Sequence, residues 1–259
     1  MDGKSAGTRP EGARDEREAA ARVREMFDRI APRYDFLNHF LSFSLDHVWR
    51  RRAAKRFERI LRRPDARILD LCCGTGDLAF AFDDARAKFL CYAAGNRAAL
   101  MGSDFVLPML ERAEAKAARR GRRAVFAAAD ALNLPFPDAS FDLVASAFGF
   151  RNLANYERGL REIARVLRPG GEAGILEFSE PGSGMLAGLF RFYFRKILPR
   201  VGGAISGSGE AYSYLPASVG KFPSPQELSE LMQACGFVEP QFESWNFGSV
   251  VLHRAKRSG

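Results

Sequence analysis

The chain reads as an α/β protein built on a doubly wound, largely parallel sheet. Three observations predict this. Short apolar runs alternate with helical stretches through the middle of the sequence. A glycine-rich turn, CCGTGD, sits between the first such run and the first helix. Two further β-type runs follow the last helix and close the chain. At 259 residues and 47% hydrophobic, the chain can bury one substantial core.

The first 20 residues, charged and Gly-rich, are expected to form a disordered tail with no secretory character. Residues 15–31 read as a helix, with Val23, Met26, Phe27 and Ile30 at helical spacing, and Pro32 breaks it. Two short amphipathic helices follow, with a break around Ser42–Asp46, so that residues 21–62 form a helical cap. Arg67–Leu71 is the first strand and residues 77–86 the first helix. Both KFLCY and RAALMGS could supply the second strand. Ala98–Ser103 is preferred, because Asp104 follows it directly. Residues 106–120 are helical and Gly121 stops them; Arg123–Ala128 is the third strand and Phe141–Ala147 the fourth. Glu157–Leu167 is a helix closed by Arg168–Gly171, and Glu172–Ser179 is the fifth strand. Pro225–Cys235 is a helix ended by Gly236, before strands at Val238–Ser244 and Phe247–Arg254. Residues 182–223 read as an insertion. Within it, residues 185–200 mix Phe, Leu and Tyr with Arg and Lys, the composition of a basic amphipathic lid.

Composition excludes some classes. No apolar run approaches the length of a membrane span. The four cysteines have no metal-ligand spacing, and free thiols in a reducing cytoplasm are expected, with no metal. The net charge of +8 comes from 39 Lys and Arg against 31 Asp and Glu, mostly Arg spread along the chain. There is no Asn/Asp-Pro-Pro-Tyr-type motif for base amino groups, and no nucleic-acid partner is expected.

The glycine turn predicts a nucleoside-type cofactor at a helix N-terminus. Gly74-x-Gly76-x-x-Ala79 fits a loose dinucleotide fingerprint, and Asp70-x-x-x-Gly74-x-Gly76 fits the first motif of S-adenosylmethionine (SAM) methyltransferases equally well. The acids favour SAM. Asp70 ends the first strand. Asp104, with Phe105 beside it, ends the second, where a carboxylate can accept ribose hydroxyls. Asp130 follows the third, where an adenine amine would arrive. A sulfonium without pyrophosphate suits several carboxylates, and an antiparallel pair closing a parallel sheet points the same way.

These segments resemble the ubiquinone/menaquinone biosynthesis C-methyltransferase family. The resemblance is carried by YDFLN at 34–38, LDLCCGTGDLA at 69–79, GSDFVLPMLERA at 102–113, AFGFRN at 147–152, GLREIARVLRPGG at 159–171 and LEFSEP at 176–181. It implies a seven-stranded Rossmann-like class I SAM methyltransferase fold and a reduced, prenylated quinone as acceptor. SDFVLPML and FYFRKILPR look closer to the menaquinone branch than to the ubiquinone branch. The resemblance further implies SAM contacts at Thr75, Asp104, Asp130 and Ala131. Ala147 stands where the family often has Ser, and the stretch before Asp104 is longer than the family pattern around residues 90–97.

In-line methyl transfer needs alignment and proton removal rather than a covalent intermediate. Tyr34, Asp35 and Asn38 from the cap, and Arg151 and Asn152 after the fourth strand, are the acceptor-side candidates. His39, His47 and His253 read as solvent or packing residues. A cytoplasmic enzyme that touches the membrane surface to reach a lipophilic quinol is expected, and a homo-oligomer is compatible with it.

Overall fold

A computed structural model describes residues 7–10, 12–89, 100–122, 124–181, 188, 192 and 209–259. Helix α1 (Glu16–Ile30) starts where the Asp15 side chain accepts from the Glu18 N–H at 2.8 Å. It buries Ala19, Val23, Met26 and Ile30 on one face. The tail is therefore shorter than expected: a capped helix occupies residues 16–20, and Thr8 is buried, its N–H donating to the Leu153 carbonyl at 2.8 Å. A 3₁₀ turn, Ala31–Arg33, leads through Pro32 into α2 (Tyr34–Leu41) and α3 (Leu45–Arg56). The break between them falls at Phe43 and Ser44, both with φ above +50°. A short α4 (Glu58–Leu61) completes the cap.

The sheet follows: β1 (Ile68–Leu71), α5 (Asp77–Phe89), β2 (Leu100–Asp104), α6 (Leu107–Arg119), β3 (Ala124–Ala128), β4 (Phe141–Ala147), α7 (Tyr156–Val166) and β5 (Leu167–Phe178). Then come α8 (Gly209–Lys221), α9 (Pro225–Ala234), β6 (Phe237–Trp245) and β7 (Val250–Arg257). The strand order is β3-β2-β1-β4-β5-β7-β6. The first five strands are parallel, and β7 runs antiparallel between β5 and β6. Every residue of β1 is buried, as a central strand covered on both faces requires. Ile68 packs with Phe57, Phe82 and Leu143 under α3–α5, while Leu69 and Leu71 face Leu160 and Ile163 of α7 on the other side.

Several boundaries differ from the sequence reading: the last strand runs Val250–Arg257 and not Phe247–Arg254, because Asn246–Gly248 forms a 3₁₀ turn. Strand β5 begins at Leu167, because Leu167 pairs with Phe141 across a bulge; Arg168–Gly171 thus lies within the strand, with Gly170 at φ +74°. Phe89 belongs to α5 and not to a strand, which leaves Leu100–Asp104 as the second strand. Asp104 stands at its last position, paired in register with Ala128. Helix α9 carries a full capping box between Ser224 and Glu227. The insertion is described only from Gly209 onward, where α8 packs against α1. Apart from Gly188 and Phe192, the amphipathic stretch at 185–200 lies outside the described residues, as do residues 90–97. Among the described residues no helix is long and apolar enough to cross a membrane.

Candidate active site

The turn after β1 is held open by its own backbone. Cys72, Gly74 and Gly76 all have positive φ (+54°, +53° and +85°). At Gly76 an added Cβ would stand 3.1 Å from the rings of Phe80 and Phe126. The Cys73 N–H donates to the Ser103 carbonyl at 2.9 Å and the Gly74 N–H to Oδ2 of Asp104 at 2.8 Å. The loop is thus tied to the end of β2. Asp104 also accepts from the Val106 N–H through Oδ1 at 3.0 Å, and burial pushes its carboxyl above the usual range.

Asp70 is buried at the end of β1, and its Oδ2 accepts from the Ala79 N–H at 2.8 Å, satisfying a donor in the first turn of α5. Its Oδ1 has no hydrogen-bond partner among the described residues. Burial, with the nearby Asp104 and Asp77 charges, raises its pKa to about 8.

A cavity of about 530 Å³ opens against this loop. Its wall includes Gly74, Asp104 and Phe105, then Asp130 and Ala131 beyond β3. Tyr34 enters from the cap and Asn152 from the turn after β4. Tyr34 packs edge-on against Phe27 at 6.0 Å, and burial raises its pKa, so its hydroxyl stays protonated. The Asn152 Oδ1 accepts from the Tyr214 hydroxyl at 3.1 Å, and that hydroxyl lies 3.1 Å from Thr8 Oγ1.

The other predicted residues do not line this cavity. Thr75 Oγ1 donates to Asp35 Oδ1 at 2.5 Å. Lys116 Nζ reaches Thr75 Oγ1, Asp35 Oδ2 and Asp77 Oδ1 at 2.8, 2.8 and 2.9 Å. Asp35 is therefore committed to a charge cluster at the foot of α5, away from the acceptor side where it was expected. Burial would raise the Asp77 carboxyl, but Arg50 and Lys116 hold it below the usual range. Gly76 is packed between rings, and Ala147 packs into the core beneath α3 and α5.

Arg151 is buried. Its Nη1 donates to Glu177 Oε1 at 2.8 Å and to the Phe148 carbonyl, and its N–H donates to Glu177 Oε2 at 3.2 Å. Burial opposes the charged guanidinium, but Glu177 more than restores it and raises its pKa. The pair fixes the turn that carries Asn152.

Sequence reasoning missed the contribution of α1. Ala20, Arg24 and Phe27, spaced at i, i+4 and i+7, line the cavity. That stripe was legible beside the buried one. Arg24 is the one cation in the wall among the described residues, against two carboxylates. Tyr214 and Glu177 were also missed. Neither carries a spacing signal, since each partners a residue far away in sequence.

The residues fit a nucleoside that carries positive charge. A carboxylate stands at the end of β2, another beyond β3, and the loop between β1 and α5 offers Gly74 to the cavity. A parallel sheet with its seventh strand inserted antiparallel, and a site of this kind at the strand ends, define a class I SAM-dependent methyltransferase. The chain belongs to the ubiE/COQ5 methyltransferase family, which it matches over residues 14–257. A demethylmenaquinone methyltransferase of Thermus thermophilus is 47% identical over 232 residues, covering 90% of this chain and 100% of that protein. A ubiquinone/menaquinone biosynthesis C-methyltransferase of Geotalea daltonii is 40% identical, covering 93% and 98%. Among solved structures, a SAM-dependent methyltransferase from Thermotoga maritima matches with a TM-score of 0.60 at 20% identity, covering 90% of this chain and 99% of that one. The [4+2]-cyclase SpnF matches at 0.63 with 18% identity, covering 98% and 99%. The fold is therefore shared across chemistries, and the family membership carries the activity.

Proposed function

We propose that this chain methylates a ring carbon of a reduced, prenylated quinone, converting a demethylmenaquinol into a menaquinol. The observation that carries this reading is one cavity with two kinds of wall. The ends of β1–β3 supply carboxylates and open backbone. The cap and the turn after β4 supply Tyr34, Phe148 and Asn152. The Thermus relative, similar over its whole length, bears the corresponding name.

In this reading Asp104 accepts the ribose hydroxyls, and Asp130 with the Ala131 backbone meets the adenine edge. Gly74 lets the donor approach the main chain, and Phe105 covers the base. When bound, SAM supplies an electrophilic methyl group on a sulfonium. Tyr34 and Asn152 hold the oxygen of the quinol ring. Loss of that hydroxyl's proton to water would place electron density on the neighbouring ring carbon for the new C–C bond, the electrons of the broken S–C bond would stay with the departing thioether, and the proton displaced from that carbon would pass through water to the ring oxygen and restore the hydroxyl. Arg151 is a positioning residue: its guanidinium, held by Glu177, fixes the turn behind Asn152 and keeps positive charge near the forming phenolate. Asp70, Thr75 and Asp35 set the loop and the start of α5 rather than touching the acceptor. The enzyme acts at the cytoplasmic face of a membrane, where the prenyl tail resides.

The equivalent ubiquinone-pathway methylation is a second reading, favoured by the name of the Geotalea relative. The test supplies purified protein with SAM and, in separate detergent assays, a prenylated demethylnaphthoquinol and a prenylated benzoquinol lacking the ring methyl. Turnover of the naphthoquinol at the higher kcat/KM supports the proposal. Preference for the benzoquinol selects the second reading, and turnover of neither rejects both.

A further inference from the structure

Helices α2 and α3 present an apolar face to solvent. Phe36 is 60% exposed, Phe40 51% and Val48 53%, and Leu45 is exposed as well. Phe36 and Phe40, one turn apart, stack with ring centroids 5.8 Å apart and planes 13° from parallel. Solvent-facing aromatics gathered in this way mark an interaction surface more often than scattered apolar residues do.

This face is held in place rather than left to collapse inward. At the tip between the helices the Ser44 N–H donates to the His39 carbonyl at 2.6 Å, and the Leu45 N–H to the Ser42 carbonyl at 3.0 Å. Beneath it, buried Asp46 accepts from Arg50 at 2.5 Å and from Ser42 Oγ at 2.9 Å, and lies 2.8 Å from His39 Nδ1. These contacts lock α2 against α3, so the exposed rings stand on a rigid base. The structure spends a buried ion pair to keep a hairpin whose outer face is apolar.

Along α3 the exposed charge is of one sign. Continuing along α3 from Val48, the exposed residues at i+3, i+4 and i+7 are Arg51, Arg52 and Lys55. The one acid of α3, Asp46, is buried. Arg52 lies over the Trp245 ring at 4.6 Å, and Trp49 Nε1 donates to Asn246 Oδ1 at 3.1 Å, which fixes the adjoining turn against α3. An apolar tip with a basic collar complements the interfacial zone of an anionic bilayer. Helix α2 places Tyr34 in the cavity wall while Phe36 and Phe40, two and six residues on, are exposed.

We propose that the α2–α3 hairpin docks the enzyme on an anionic lipid surface, with Phe36, Phe40, Leu45 and Val48 entering the interface and Arg51, Arg52 and Lys55 against lipid phosphates. This rests on the proposed quinol substrate, because a prenyl tail in the bilayer must be met there, and it identifies the face that meets it.

The test is flotation of the full chain with vesicles of phosphatidylcholine alone and of phosphatidylcholine mixed with phosphatidylglycerol. Wild type should partition onto the mixed vesicles and far less onto phosphatidylcholine alone. Phe36→Ser with Phe40→Ser should lower partitioning at least about tenfold. Arg51→Glu with Lys55→Glu should lower it by a similar factor, on the anionic vesicles only. Both variants should keep the wild-type melting temperature and methylate a tail-less, water-soluble demethylnaphthoquinol at the wild-type rate. Equal binding by wild type and both variants, or no wild-type binding to anionic vesicles, would overturn the docking proposal. So would serine variants that turn a dimer into a monomer while partitioning unchanged, because the face would then meet a second copy of this chain. Absence of wild-type turnover on the prenylated demethylnaphthoquinol in detergent would instead overturn the substrate assignment.

Discussion

The N–H of Gly74 donates to Oδ2 of Asp104 at 2.8 Å, so the loop that follows β1 is pinned to the last residue of β2. One carboxylate thereby shapes the glycine turn and presents an acceptor to the cavity. Asp104→Ala should weaken SAM binding by about tenfold to a hundredfold, the scale of one or two hydrogen bonds to a charged acceptor. Asp104→Asn, which keeps an acceptor oxygen, should fall between that variant and wild type. Isothermal titration with SAM measures both. Unchanged affinity in Asp104→Ala would remove Asp104 from the site.

Glu177 is the counter-charge of a buried guanidinium. Glu177→Gln should destabilise the fold by about 3–5 kcal/mol, the cost of leaving a buried charge without its partner. Urea denaturation followed by far-UV dichroism reads this directly. A loss below about 1 kcal/mol would mean that Arg151 finds water or another acceptor.

Gly149 approaches the turn after β1 so closely that a Cβ there would stand 2.5 Å from the Cβ of Cys72. Neither atom is the end of a flexible chain, so backbone must move. Gly149→Ala should cost about 1–3 kcal/mol and displace Asn152, raising KM for the quinol. Gly170→Ala meets nothing within 4 Å among the described residues and should cost only the strain of its φ of +74°, about 1–2 kcal/mol, with kinetics unchanged. Thermal melts and steady-state kinetics of the two variants separate packing from backbone strain.

Two buried groups give opposite pH dependences. Asp70 has its pKa raised by burial from 3.8 to about 8, so the folded state holds a proton that the unfolded chain releases between those values. Its contribution is complete below pH 3.8 and is lost as pH rises toward 8. His253, buried in β7, is lowered from 6.5 to about 4, so its contribution is complete above 6.5 and is lost as pH falls toward 4. The two slopes oppose each other between pH 4 and 6.5, and that of Asp70 alone persists up to 8. Without SAM, Asp70→Asn should be more stable than wild type at pH 8 and lose the decline above 6.5. His253→Gln should lose the acid-side dependence. Melting temperatures across pH 4 to 8 decide this; parallel profiles for all three proteins would contradict it.

What the sequence made legible follows from range. The strands, the glycine turn and the acids at Asp70, Asp104 and Asp130 are local patterns, and each stands at or beside a strand end. The pairing of Arg151 with Glu177, of Asn152 with Tyr214 and of Asp35 with Lys116 joins residues distant in the chain. No spacing announces such partners, and so Asp35 and Arg151 read as acceptor-side groups when their charges are already committed. Helices α2 and α3 were legible as two short helices separated by a break near Ser42–Asp46. Which of their faces stays exposed depends on α3 packing against α5, a tertiary fact.

The central claim is that this cavity joins SAM to a reduced quinone ring, and transfer of a labelled methyl group tests it most directly. Purified protein is supplied with SAM carrying a ¹³C methyl group and a prenylated demethylnaphthoquinol in detergent, and the product is read by NMR. The account predicts one labelled methyl on the ring carbon next to a hydroxyl-bearing carbon, with the rate abolished or sharply reduced in Asp104→Ala. Label on a ring oxygen, or no label in the quinol while SAM is bound, would contradict it.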